Sequence, residues 1–435
     1  MSDFFEIAYA AANNKLCLFT GTGFSKAITK NEAPNWQVLL ESLCALCQKP
    51  ENLKTALFPE GKTLLNLEEA AQVIAIELQK VDKNIHEEIA KIIASLELKG
   101  DNSIISDFLA KQKSLAVLTT NYDKLFEALV EEKNCLSLSP GFPVPRSESR
   151  VNIYHVHGSI DSAVNMVVTA NDYFNFINKE SYFSRKLSTI LHENTVVILG
   201  YSLGDTNLKA ILSDYNGFSR NYLISSNIFL VSRSKVNQYI KDYYSHCYGI
   251  RVLDNLEVHD FFRQLNTALP EAEKNAKESI SNIKKVINEK RNFKEEYLKM
   301  ENSFYQIVSS VAAIGKSIND ARVVEVLGNI VEAKTVLTNH TGAWDQYVQL
   351  ANWLIYLGSS LEIKGTTIEK IYLDAVLRSM NTMRKTYYHG YSWHAFTSWN
   401  NGWQRMTASN RALIRTHISK NTEWADALEV VNREF

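Results

Sequence analysis

Along the first 270 residues, short apolar runs alternate with longer stretches whose apolar positions recur every three or four residues. Leu16-Cys-Leu-Phe-Thr20, Leu115-Ala-Val-Leu-Thr119, Thr195-Val-Val-Ile-Leu199 and Asn227-Ile-Phe-Leu-Val231 have the length and the β-branched or aromatic content of strands buried on both faces. Ile153-Tyr-His-Val156 is a weaker fifth. Helical spacing predicts helices over 36–47, 67–79, 86–95, 122–132 and 181–192. Strands separated by helices predict an α/β fold with a doubly wound, Rossmann-like parallel sheet, whose ligands bind beyond the carboxyl ends of the strands.

The pattern changes near Pro270. All seven prolines lie at or before that residue, whereas six of the seven tryptophans follow it. Ile280, Ile283, Val286 and Ile287 mark one face of a helix. An interior proline loses a hydrogen bond and clashes with the preceding turn, so its absence afterwards fits long helices. The expected division is 1–268, holding the sheet, and 269–435, an all-α domain without strands.

Composition narrows the function classes. With 435 residues, 45% hydrophobic and 22% charged, the chain is globular and not disordered. Lys plus Arg number 47 against 48 Asp plus Glu, a net charge of −1, so no global field recruits nucleic acid or an anionic membrane. No apolar run approaches the roughly 20 residues that span a bilayer. Asp3 and Glu6 stand where a secretory leader would carry its basic region. A cytoplasmic protein without membrane contact is expected. Five cysteines, with Cys44 and Cys47 forming the one C-x-x-C, give neither a disulfide framework nor a closed zinc site.

The polar residues worth most scrutiny follow the strands. Thr20-Gly21-Thr22-Gly23-Phe24-Ser25-Lys26 is a glycine turn of the kind that lets backbone approach a phosphate, or else a purely structural turn. Lys26 occupies the third glycine position of G-x-G-x-x-G, which disfavours an ordinary dehydrogenase. Thr119-Thr120-Asn121-Tyr122-Asp123 places an amide and a carboxylate two apart; either could face a ligand or cap the next helix. Strand alternation sends His155 and His157 of His155-Val-His157-Gly158 to one side, as a candidate base or a histidine held by a carbonyl. A metal is not expected there, because no third ligand stands near in sequence.

Gly200-Tyr201-Ser202-Leu203-Gly204 matches the string of a serine-hydrolase elbow, with Asp254 and His259 available downstream. That reading leaves the other polar strand ends unexplained. Gly61-Lys62-Thr63 fits a relaxed phosphate-loop string but follows no hydrophobic strand, so a surface loop is expected.

Taken in order, Gly21-Thr-Gly-Phe-Ser25, Thr120-Asn-Tyr-Asp123, His157-Gly158 and Gly200-Tyr-Ser-Leu203 resemble the motif series of the sirtuin-like superfamily, and more closely its bacterial branch of NAD-hydrolysing antiviral effectors. The resemblance covers about residues 10 to 260. It implies that Gly21, Thr22, Gly23, Phe24 and Ser25, with Thr120, bind NAD+ as substrate. It places Asn121, Asp123 and His157 around the scissile bond, gives Gly200, Ser202 and Asp205 the adenosine half, and puts Ser232 and Arg233 near the adenine ribose. Deacylating sirtuins carry a four-cysteine zinc module after the catalytic histidine, whereas no cysteine occurs here between Cys135 and Cys247. The acidic Phe-Arg element after their first loop is replaced by Pro34-Asn35-Trp36. Water is therefore the expected acceptor rather than an acyl-lysine, and no metal is implied; a protein deacylase or a non-catalytic NAD or ADP-ribose sensor are the alternatives.

The helical region resembles nothing nameable. Tyr387-Tyr-His-Gly-Tyr-Ser-Trp393, Trp399 and Trp403 concentrate aromatics that suit either an interface or a core. Unchecked NAD+ hydrolysis would kill the host, so this region is expected to restrain the enzyme or drive homo-oligomerisation. The expected release comes from a phage-derived activator, an Argonaute-like partner or a translocase-type ATPase.

Overall fold

The computed structural model describes residues 3–59, 65–131, 134–142, 149–178, 182–201, 209, 212, 228–289, 293–313, 321–340 and 342–433. Among them seven strands form one sheet: β1 (Leu16–Thr20), β2 (Leu115–Thr119), β3 (Cys135–Leu138), β4 (Val151–His155), β5 (Thr195–Leu199), β6 (Ile228–Val231) and β7 (Ile250–Leu253). Their order is β3-β4-β2-β1-β5-β6-β7, with every neighbouring pair parallel. The chain builds β2, β3 and β4 on one side of β1, then crosses back to lay β5, β6 and β7 on the other. The direction of winding reverses between β1 and β5, which is where an open α/β sheet forms its ligand crevice.

Period-2 alternation explains the layers. Leu16, Leu18, Val117, Ile153 and Val197 pack on one face, and Cys17, Phe19, Leu118, Tyr154 and Ile198 on the other. A third cluster gathers the helices Trp36–Cys44, Pro50–Leu57, Leu67–Gln79 and Ile85–Ile93 around Leu40, Leu43, Ile74 and Ile89. These helices are an insertion between β1 and β2 with their own small core.

The composition break near Pro270 is not a break in structure. One helix, Val258–Glu289, runs through it with Pro270 inside. A proline there costs about 3 kcal/mol. Phe261, Phe262, Leu265, Leu269 and Ala272 on the same helix are all buried, and their burial offsets that cost. The helix packs on Asp3–Ala12, where Phe4 meets Phe261 at 5.7 Å between ring centroids. Phe5 of that first helix meets Tyr305 edge-on at 5.5 Å, so one core continues from a face of the sheet into the C-terminal helices. Buried Arg251 of β7 pairs with Glu6 and lies 4.1 Å from the Phe229 ring.

Beyond residue 290 every described element is a helix, apart from an isolated bridge between Met383 and Ser392. The aromatics divide: Trp399 and Trp403 are core residues, whereas Tyr387 is 89% exposed, Tyr388 55% and Trp393 47%. No described helix is long and apolar enough to cross a membrane.

Candidate active site

The β1 and β5 loops interlock at the switch point. Gly21 donates its amide to the Leu199 carbonyl at 3.0 Å, and Gly23 to the Gly200 carbonyl at 2.7 Å. Gly200 adopts φ +63°, and a Cβ on it would stand 1.9 Å from the Phe24 nitrogen. A Cβ on Gly23 would stand 2.7 Å from the Gly200 Cα. These glycines let two backbones touch, and the Gly21 and Gly23 amides are engaged by β5 rather than directed at a ligand. Phe24, expected beside a nucleotide, turns away from the crevice; its ring is 1% exposed and stacks on Phe126 at 5.5 Å.

A cleft of about 1260 Å³ opens over this junction, beyond the 300–1,000 Å³ of an ordinary small-molecule pocket and large enough for a dinucleotide. Thr22, Ser25, Thr120, Asn121, Asp123 and His157 line it, with Ser232 and Arg233 on the far side beyond β6. Ser232 directs its hydroxyl to the Ser234 carbonyl at 2.8 Å, and the Arg233 side chain is 73% exposed. Ser202 and Asp205 lie outside the described residues, as do Gly61, Lys62 and Thr63.

Three side chains form a chain at the cleft floor. Asn121 Nδ2 donates to Ser25 Oγ at 2.8 Å, and Ser25 Oγ donates to Asp123 Oδ2 at 2.8 Å. The other Asp123 oxygen accepts the amide of Leu125, the first residue of helix Leu125–Val130, at 3.1 Å, so this carboxylate both ties down the start of that helix and lines the cleft. Crowding by protein raises the Asp123 carboxyl above its ordinary value, against the pull of the Ser25 and Leu125 hydrogen bonds, although part of its surface stays open. Each oxygen keeps a second lone pair for a ligand.

The two histidines do not share a side. β4 ends at His155, and the alternation ends with it. His155 is fully buried, with Nε2 2.8 Å from Glu127 Oε1 and Nδ1 3.0 Å from the Asn121 carbonyl. Burial pushes the Glu127 carboxyl up, but His155, Lys124 and Ser137 outweigh it and hold the group at about 2. His157 lines the cleft, its ring edge-on to Tyr173 at 5.3 Å and Phe176 at 5.6 Å. Gly158, at φ +84°, turns the chain away from it.

Glu127 was invisible to motif reading because it belongs to a helix face; its spacing from Asp123, one turn on, was the available signal. Asp254 and His259 do not meet: Asp254 holds Lys241 at 2.8 Å, and His259 holds Asn102 at 3.0 Å. Asn35 caps the helix Trp36–Cys44 through the Val38 amide at 2.8 Å, and Trp36 reaches the cleft beside Tyr122. Among the described residues, no group of three His, Cys, Asp or Glu side chains could hold a metal.

Residues 115–253 match the model of the SIR2-like domain family. The chain is 24% identical over 261 residues to defense-associated sirtuin 2 of Bacillus subtilis, covering 59% of this chain and 24% of that protein. It is 35% identical over 106 residues to the NAD(+) hydrolase ThsA of Enterococcus faecium, covering 22% of this chain and 21% of the relative. A ThsA of Cytobacillus dafuensis is 24% identical over 220 residues, covering 48% of this chain and 39% of the relative. The chain thus spans less than half the length of each of these curated relatives.

Proposed function

We propose that this chain, which carries a SIR2-like domain, cleaves NAD+ to nicotinamide and ADP-ribose, and that it serves anti-phage defence by depleting NAD+ in an abortive response. The observation that carries the reading is the hydrogen-bonded chain Asn121–Ser25–Asp123 in the same cleft as His157, at the switch point of the sheet. Relatives named NAD(+) hydrolase and defense-associated sirtuin support it.

Breaking the bond from nicotinamide to ribose builds positive charge on the sugar, so the site must stabilise an oxocarbenium-like state and place a nucleophile. No covalent protein residue is required. Asp123 holds the carboxamide of the departing nicotinamide through its free lone pairs. Asn121, fixed by Ser25, orients the attacking water. His157 engages the ribose hydroxyls or takes the water's proton.

The C-terminal helices have a route to this cleft. Helix Gln238–Tyr248 lines it with Ile240 and Tyr244. On the same helix, Gln238 Nε2 donates to the Gln404 carbonyl at 2.8 Å, and Asp242 pairs with buried Arg411. In this proposal those contacts restrain the enzyme until a partner, an oligomer or a phage-derived activator releases them.

The test is incubation of the chain with NAD+ over a concentration series, following nicotinamide and ADP-ribose. Release that vanishes in Asn121→Ala and His157→Ala, with unchanged melting behaviour, supports the assignment. NAD+ binding without any nicotinamide release would make the cleft a sensor instead.

A further inference from the structure

Asn121 is fixed at three points. Its side chain donates to Ser25, its amide donates to Thr119 Oγ1 at 3.1 Å, and its carbonyl meets His155 Nδ1 at 3.0 Å. The first two contacts come from helix Thr22–Ile28 and from the last residue of β2. The third comes from beneath, where His155 is 0% exposed and Glu127 is 2% exposed.

Both partners of His155 are acceptors, because Glu127 Oε1 also receives the Ser137 hydroxyl at 2.7 Å and the Lys124 ammonium at 2.9 Å. Each ring nitrogen therefore faces an acceptor, the Asn121 carbonyl on one side and Glu127 on the other. Glu127 fixes the ring from the side opposite Asn121. Burying an ion pair solely for stability is a poor bargain, and apolar residues of similar volume commonly do as well. The position of this pair, directly behind the residue that orients water, gives it another use.

We infer that Glu127 and His155 are positioning residues: a buried pair that pins the Asn121 main chain from below and so sets the direction of its side chain toward Ser25 and the attacking water. Neither touches substrate. The inference rests on the reading of the cleft as the site of NAD+ cleavage.

Two isosteric variants of the full-length chain separate this from mere support of the fold. In His155→Asn the amide nitrogen takes the place of Nδ1, keeping the donor to Asn121 and losing Glu127. In His155→Gln the amide reaches the place of Nε2, keeping Glu127 and losing Asn121. The expected result is a kcat for nicotinamide release about 10- to 100-fold lower in His155→Gln, with KM for NAD+ changed less than about threefold. His155→Asn should keep several times more turnover than His155→Gln at a similar melting temperature.

Amide hydrogen exchange over residues 119–123, read without substrate, should quicken in His155→Gln and stay near wild type in His155→Asn. Equal loss of turnover in both variants, or wild-type turnover in His155→Gln, overturns the inference. If the wild type itself releases no nicotinamide, the catalytic reading fails. Exchange then still decides the positioning claim: equal rates in the two variants refute it.

Discussion

Ser25 donates its hydroxyl to Asp123 across 2.8 Å, joining residues 98 positions apart in the chain. Since Ser25 also receives the Asn121 amide, one oxygen sets the spacing of both cleft-facing side chains of the β2 loop. Ser25→Ala removes the shared atom and leaves the backbone in place. A kcat for NAD+ cleavage about 10- to 100-fold lower is expected, with about 1–3 kcal/mol lost from unfolding stability for the unpaired groups. Steady-state kinetics beside denaturant melts checks this, and undiminished kcat would remove the three-residue chain from the mechanism.

Asp123 gives a pH test whose sign is opposite to that of most carboxylates. Crowding raises its value in the fold, so its favourable contribution is complete below the ordinary 3.8 and is lost as pH rises through the raised value. At neutral pH the ionised group costs stability. Asp123→Asn should therefore melt higher than wild type at pH 7, lose that advantage below about pH 3.8, and cleave NAD+ poorly at every pH. A variant that melts lower at pH 7 would contradict the argument.

Glu127 runs the other way. Its carboxyl is held at about 2 against an ordinary 4.5, so its contribution is present above 4.5 and is lost as pH falls toward 2. Asp172, also held at about 2 after the His86 pair and the Thr169 bonds outweigh its burial, acts over a similar acid range. Replacing Glu127 by Gln should flatten the fall of melting temperature between about pH 4.5 and 2 without abolishing it, because Asp172 remains. An unchanged acid limb would show that the pair does not carry this dependence.

Two glycines with similar backbone angles separate strain from collision. Gly200 (φ +63°) and Gly342 (φ +77°) both lie in the left-handed region, but a Cβ on Gly342 meets nothing within 4 Å. Gly342→Ala should cost about 1–2 kcal/mol from backbone strain alone. Gly200→Ala adds contact with the Phe24 backbone and should cost more than about 4 kcal/mol or prevent soluble expression. Equal melting temperatures for the two variants would mean that the loops part easily.

The central strands were legible because burial on both faces leaves an uninterrupted apolar run: β1, β2 and β5 begin and end where the runs do. The edge strands were not. Cys135-Leu-Ser-Leu138 and Ile250-Arg-Val-Leu253 are four residues each and half-open, so their patterns resemble loop, and Arg251 breaks the second. That Asn121, Asp123 and His157 line one cleft is legible because polar residues after a buried strand have little to do but cap or bind. The burial of the Phe24 ring against Phe126 is not legible, since a loop motif does not say which side of a helix its aromatic takes. His155 was seen, but its partner came from a different element, 28 residues away, and no spacing rule reaches that far. The helix through Pro270 escaped because tertiary packing on Asp3–Ala12 overrides a local breaker.

Asp242 and Ile240 belong to one helix; Asp242 faces Arg411 of the C-terminal region while Ile240 faces the cleft. Gln238 spans the same boundary, holding Asp242 Oδ1 at 2.9 Å and the Gln404 carbonyl at 2.8 Å. Asp242→Ala cuts the ion pair from the side of the cleft, and Arg411 keeps its bonds to the Gln404 and Met406 carbonyls, so the C-terminal helices stay folded. If those helices hold the cleft in a resting shape, freeing helix Gln238–Tyr248 should raise basal nicotinamide release about fivefold or more, the range of a coupling of 1–3 kcal/mol. Release should rise through kcat even though stranding the buried Arg411 charge lowers the melting temperature. Turnover that falls, or stays at the wild-type level in a folded variant, would mean that the contact supports the cleft instead of restraining it.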